Sequence, residues 1–236
     1  MIKNNVLVVD DDKEIVDAID IYLRNEDINV VKAYDGIEAL EALMENDIHL
    51  ILMDIMMPNM DGLRTTMKIR QEKNIPIILI SAKSEDTDKI LGLNMGADDY
   101  ITKPFNPLEL IARVKSQLRR YTVFGNYSGQ NKEETKSIIS SGGLSLNQDT
   151  KEVLVDGEGI KLTATELGIL ELLLKNQGRV FSIDEIYEKV WKEPSYNVEN
   201  TVAVHIRRIR EKIEINPKDP KYLKVVWGIG YKIEKY

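Results

Sequence analysis

Four short, wholly apolar runs recur early in the chain: Val6-Leu7-Val8-Val9, Val30-Val31, Leu50-Ile51-Leu52-Met53 and Ile77-Ile78-Leu79-Ile80. Because both alternating faces are apolar, such strands must be covered from both sides. Between them, apolar residues return at helical spacing, as in Ile15, Ile19, Leu23 and in Ile37, Leu40, Leu43. A fifth run, Tyr100-Ile101-Thr102, leads into a helix from about Pro107 to Arg120, with proline in the first turn where no amide hydrogen is needed. Five strand–helix units predict a parallel sheet with helices on both faces. Its natural site crevice lies at the carboxyl ends of the strands.

The stretch from Tyr121 to Gly143 is rich in Gly, Ser, Asn and Lys and reads as a linker. Beyond it the pattern changes. Short strand signals come first: Ile138-Ile139, Leu144-Ser145-Leu146, Glu152-Val153-Leu154-Val155 and Ile160-Lys161-Leu162. Thr163-Ala164-Thr165-Glu166 then opens a helix as a capping box. Helices over about Ile183–Trp191 and Val198–Glu214 follow, and then a glycine-turned hairpin over Lys224–Ile233. Three helices and a hairpin predict a helix-turn-helix with a wing. The boundaries expected are 1–121 for the first domain, 122–137 for the linker and 138–236 for the second domain.

Composition narrows the chemistry. With no cysteine and only His49 and His205, thiolate zinc sites, cysteine nucleophiles and histidine-rich metal sites are excluded. No apolar run is long enough to span a bilayer, and the amino-terminal residues lack a secretory h-region, so a cytoplasmic, non-membrane protein is expected. Residues 1–122 hold 15 Lys and Arg against 22 Asp and Glu, whereas residues 123–236 hold 17 of each. An acidic half joined to a neutral half points to two tasks.

Polar groups gather at the predicted strand ends: Asp10 and Asp11 after the first, Asp54 after the third, Ser81 after the fourth and Lys103 after the fifth. Three convergent carboxylates repel unless a cation joins them, and an all-oxygen set suits Mg²⁺. A hard metal, a hydroxyl and an ammonium around one carboxylate can stabilise a transferring phosphoryl group, with Asp54 as the nucleophile. Singly, each such residue is ordinary loop solvation; together, at four strand ends, they are not.

Val8-Val9-Asp10-Asp11, Met53-Asp54-Ile55-Met56-Met57-Pro58-Asn59-Met60-Asp61-Gly62, Ser81-Ala82-Lys83, Gly96-Ala97-Asp98-Asp99-Tyr100 and Lys103-Pro104-Phe105 resemble the motifs of two-component receiver domains. The resemblance covers residues 1–120 and implies the flavodoxin-like (βα)5 fold. It further implies Asp54 as phosphoacceptor, with Asp11, Asp54 and the Met56 carbonyl as direct Mg²⁺ ligands and Asp10 reaching the metal through water. Ser81 and Lys103 would bind phosphoryl oxygens, Tyr100 would move with Ser81 as a switch, and Lys103-Pro104 would be a cis peptide. Residues 138–236 resemble the winged-helix effector domain of the OmpR/PhoB subfamily through Leu162–Glu166, Val204–Lys212 and Gly228–Lys232. Trp227 stands where many members place arginine, which, with residues 112–121 and 231–235, looks most like the VanR branch.

That subfamily implies a shared receiver dimer face built on Ile90, Leu93 and Ile111, with pairs Lys89–Glu109, Asp99–Arg113 and Asp98–Arg120 crossing between protomers. On composition alone these are ordinary amphipathic helices. In the predicted third effector helix, a 100° step puts Val202, Ile206, Ile209 and Ile213 on the core face. Asn200, Val204, Arg207 and Arg208 then fall on the exposed side, with His205 at the margin. Arginine reads guanine or grips phosphate, and an apolar side chain meets a thymine methyl. DNA contacts are therefore expected from Asn200, Val204, His205, Arg207, Arg208 and Arg210, and from Trp227 in the wing.

The expectation is a phosphorylation-controlled, DNA-binding transcription regulator rather than an enzyme. Its partners would be a sensor histidine kinase, promoter DNA with direct repeats, and a second copy when phosphorylated. One rival is a Mg²⁺-dependent phosphohydrolase, which usually needs an Asp-x-Asp pair where this chain has Met56. The other is a phosphorylation-independent DNA-binding protein, against which the intact acidic cluster argues.

Overall fold

The structure, a computed structural model, describes residues 4–82, 92–124, 138–195 and 199–236. The chain divides into two compact units, Met1–Tyr121 and Thr122–Tyr236.

In the first unit, β1 (Asn5–Val9), β2 (Asn29–Ala33), β3 (Leu50–Asp54), β4 (Ile77–Ser81) and β5 (Asp99–Thr102) form one sheet in the order β2-β1-β3-β4-β5. Every neighbouring pair is parallel. Helices α1 (Lys13–Arg24), α2 (Gly36–Glu45) and α3 (Gly62–Glu72) alternate with the strands, and α4 (Pro107–Phe124) closes the unit. The side chains of β3 and β4 are buried along their whole length, as continuous apolar runs require. Each of the first three helices begins with an aspartate, Asp12, Asp35 or Asp61, accepting hydrogen bonds from its own first-turn amides. Gly62 is needed where α3 begins: a Cβ there would lie 2.0 Å from the Asp54 carbonyl oxygen.

Helix α4 extends past Arg120 to Phe124, so residues 122–124 of the expected linker are helical; the remainder of it lies outside the described residues.

The second unit opens with an antiparallel meander, β6 (Ile138–Ser141), β7 (Leu144–Asn147), β8 (Val153–Val155) and β9 (Glu158–Ile160). The fourth strand begins two residues before the expected one. Asp156 and Gly157 both take positive φ, 50° and 89°, a two-residue turn that forces Val155 opposite Glu158. Three helices follow, α5 (Ala164–Lys175), α6 (Ile183–Trp191) and α7 (Glu199–Ile213), and then the hairpin β10 (Leu223–Val226) and β11 (Gly230–Ile233). Capping boxes open α5 (Thr163, Glu166) and α6 (Ser182, Glu185), the second not anticipated from sequence. Leu167, Leu170, Phe181, Trp191, Ile206, Ile209, Leu223 and Ile233 share one core. A bridge between Phe181 and Tyr231 ties the hairpin to the α5–α6 connection. Among the described residues no helix is long and apolar enough to cross a membrane.

Candidate functional site

Register brings the acidic groups together. Val9 pairs with Met53 and Asp54 with Ile80, so Asp10 and Asp54 emerge side by side at the strand order's switch point. Both are buried, Asp10 fully and Asp54 to 4% exposure. Lys103 enters from the end of β5 across a cis bond to Pro104, its backbone N–H donating to the Ser81 carbonyl at 2.7 Å. Its ammonium lies 2.6 Å from Asp10 Oδ2 and 2.7 Å from Asp54 Oδ1. The other Asp54 oxygen accepts the Met56 N–H at 2.6 Å, and Asp10 Oδ1 accepts the Asp12 N–H at 3.1 Å. Burial pushes the Asp54 carboxyl above its ordinary value despite the opposing pull of Lys103. Lys103 is held above its own, because two carboxylates outweigh its burial.

The expected three-carboxylate cluster is not assembled. Asp11 is exposed, and among the described residues no three acidic or histidine side chains converge closely enough to hold a metal. Lys103 instead supplies the counter-charge to Asp10 and Asp54. The donor set still fits a hard cation, since the two inward carboxylates share the Lys103 ammonium and the exposed Asp11 follows Asp10 directly in the chain. Ser81 is buried at the neighbouring strand end, and Tyr100 is half-buried with its N–H on Asp99 Oδ1.

The expected dimer face looks different within one chain. Lys89 and Ile90 lie outside the described residues. Leu93 is fully buried, a core residue rather than a surface patch. Asp98 and Asp99 are buried too: Asp98 Oδ2 accepts from Arg70 at 2.6 Å, and Arg113 reaches Asp99 at 3.0 Å and Glu109 at 3.0 Å, all inside the protomer. Arg120 is buried and donates to Ser116 Oγ at 2.9 Å. Ile111 is half-buried.

On α7 the core stripe of Val202, Ile206, Ile209 and Ile213 is as expected, but the opposite face is corrected. Asn200 and Arg207 are exposed, Arg207 pairing with Glu211 one turn on at 2.9 Å. Val204 and Arg208 are buried, and His205 packs its ring 5.5 Å from that of Trp191. Arg208 is drawn inward by a carboxylate on α5, whereas Val204 is buried without joining the core shared by α5, α6 and α7. Arg208 Nη2 lies 3.0 Å from Glu166 Oε1. Arg210 is half-buried and donates to the Leu223 carbonyl at 2.9 Å, joining α7 to the hairpin. At the hairpin's tip Trp227 is 88% exposed, next to exposed Ile229.

A carboxylate pocket at the switch point of a 2-1-3-4-5 parallel sheet, followed by a winged helix, describes a signalling receiver joined to a DNA-binding effector. Residues 6–115 match the response regulator receiver domain, and residues 157–233 match the carboxyl-terminal domain of transcriptional regulatory proteins. The chain belongs to the two-component response regulators of OmpR/PhoB type, DNA-binding transcription regulators that carry a receiver domain. It is 45% identical to the regulatory protein VanR of Enterococcus faecium over 233 residues, covering 98% of this chain and 99% of VanR. With VanRc of Enterococcus gallinarum it shares 43% over 230 residues, 98% of each chain. Among solved structures, the OmpR/PhoB homolog DrrB of Thermotoga maritima aligns over 99% of this chain and 100% of its own, at 32% identity and a TM-score of 0.52.

Proposed function

We propose that Asp54 accepts a phosphoryl group from a sensor histidine kinase and that the resulting change controls DNA binding. The observation that carries this is Asp54 itself: buried, abreast of Asp10, with the Lys103 ammonium 2.7 Å away. An Asp54 oxygen attacks phosphorus, the donor's P–N bond breaks, and an acyl phosphate forms. Lys103, already oriented, meets the negative oxygens of the transferring group. Mg²⁺, held by the Asp11 and Asp54 carboxylates and the Met56 carbonyl, with Asp10 through water, would neutralise charge on the phosphoryl oxygens. Ser81 would then bond to the new phosphoryl group and Tyr100 would turn with it.

In this reading phosphorylation favours a symmetric receiver dimer through Ile90, Leu93 and Ile111, with Lys89–Glu109, Asp99–Arg113 and Asp98–Arg120 pairing across it. The face must rearrange first, because Leu93, Asp98 and Arg120 are buried and Arg113 is engaged at home. The effector would dock on direct repeats, with Asn200 and Arg207 of α7 and Trp227 of the wing presented to promoter DNA in the cytoplasm. Residues 1–121 would act as receiver, 125–137 as the rest of the linker and 138–236 as effector. A phosphohydrolase is disfavoured by Met56 in the place of a second catalytic acid. Intact-mass measurement after acetyl phosphate and Mg²⁺ should show one added phosphoryl group. Equal incorporation by Asp54→Asn, or in EDTA, would overturn the assignment.

A further inference from the structure

The wing hairpin is held at its base along both edges, and one of those holds rests on a single carboxylate. Glu214, the residue after α7, is buried, and it accepts hydrogen bonds from the main chain entering β10. Oε1 takes the Tyr222 N–H at 2.9 Å and the Leu223 N–H at 2.8 Å, and Oε2 takes the Lys221 N–H at 2.7 Å. One helical turn earlier, Arg210 Nε donates to the Leu223 carbonyl at 2.9 Å. Leu223 pairs with Ile233 across the hairpin, yet its own N–H and C=O both turn outward to these two side chains. Only alternate residues of an antiparallel pair bond to the neighbouring strand, so an edge strand would otherwise leave such groups bare. On the other edge, Tyr231 of β11 exchanges both backbone bonds with Phe181, each at 2.9 Å. Trp227 and Ile229 stand exposed beyond both holds.

We infer that Glu214 is a positioning residue for DNA recognition: it sets the wing's tilt against α7, so that Trp227 and the helix meet one duplex together. This rests on the DNA-binding reading of the second unit and adds how its two reading elements are aligned. The two holds join different things. The Phe181 bridge ties β11 to the α5–α6 connection, which keeps the hairpin attached without fixing its angle to α7. Arg210 adds one bond, at one carbonyl. Glu214 engages three successive amides, so it fixes a length of chain rather than a point. Its bonds are charge-assisted and about twice as strong as neutral ones. Leverage makes this matter: Val226 lies ~10 Å along the strand from Leu223, so a tilt of ~15° at the base would carry it about 2.6 Å. A hydrogen bond tolerates only about 0.5 Å.

The test compares affinities of the full-length chain for a random-sequence duplex at fixed salt, in a cycle of Glu214→Gln with Trp227→Ala. Glutamine keeps the length but replaces one acceptor oxygen by a donor, so it cannot serve all three amides. Lost charge or a lower folded fraction scales every affinity in one background alike, so ratios within a background isolate placement. Trp227→Ala should weaken wild-type binding roughly tenfold, and binding in the Glu214→Gln background by no more than about threefold. Arg207→Ala, which acts on the helix alone, should cost the same in both backgrounds to within about twofold. An equal Trp227→Ala loss in both backgrounds would overturn the inference, as would an Arg207→Ala loss that shrinks alongside it. A wild-type chain that binds no duplex would overturn the DNA-binding reading itself and the inference with it. Should Glu214→Gln fail to fold, Glu214→Asp enters the same cycle, keeping the charge but drawing the carboxylate back from the amides. A smaller Trp227→Ala loss there supports the inference, and an equal one overturns it.

Discussion

Replacing Lys103 by methionine keeps the side chain's stem and removes the ammonium that Asp10 and Asp54 share. Their side chains are 1% and 5% exposed, and Lys103 itself 19%. Deleting one partner of a buried ion pair commonly costs about 3–5 kcal/mol. Because the pocket opens to water at the Lys103 position, the lower end applies, about 3 kcal/mol. At 1.36 kcal/mol per tenfold, amide protection in the receiver should fall by roughly two orders of magnitude. Hydrogen exchange followed by mass spectrometry on peptides spanning β1 and β3 reads this unit without interference from the other. Mg²⁺ should return much of the loss, since a cation at about a hundred times its dissociation constant contributes about 2.7 kcal/mol. Unchanged protection in Lys103→Met, or a loss that Mg²⁺ leaves untouched, would refute the view that these carboxylates need a shared counter-charge.

Glu166 makes the second unit acid-sensitive. Its folded pKa of about 2 lies below the ordinary 4.5, so its stabilisation is complete above 4.5 and is lost as pH falls toward 2. The loss should approach about 3 kcal/mol, read by fluorescence of buried Trp191 in a Trp227→Phe background, and Glu166→Gln should flatten that profile. Gly230→Ala would put a Cβ 1.9 Å from the Phe181 carbonyl oxygen, so the wing should detach and stability fall by roughly 2 kcal/mol or more, measured by urea denaturation. Trp227→Ala should leave stability within about 0.5 kcal/mol, because the side chain is 88% exposed, yet weaken binding to all duplexes alike in a titration across a randomised wing site.

Much of this protein was legible in its residues. Apolar runs such as Leu50–Met53 can be satisfied only by strands covered on both faces, and the polar residue that ends each run falls where parallel strands open to solvent. Asp54, Asp10 and Lys103 followed from that alone, as did the Thr163–Glu166 cap, because these signals are local and periodic. What pairs across the fold was not local. Sequence put three aspartates around a cation, but register and the reach of Lys103 gave Asp10 and Asp54 an ammonium and left Asp11 exposed. A helical wheel orders residues by angle but does not say how wide an arc is covered. Val204 and Arg208 sit opposite the core stripe and are buried nonetheless, Arg208 against the Glu166 carboxylate that α5 brings to it. Only the tertiary structure decides which charges meet, since charges choose their partners by distance in space, and that distance is set by packing between elements far apart in the chain.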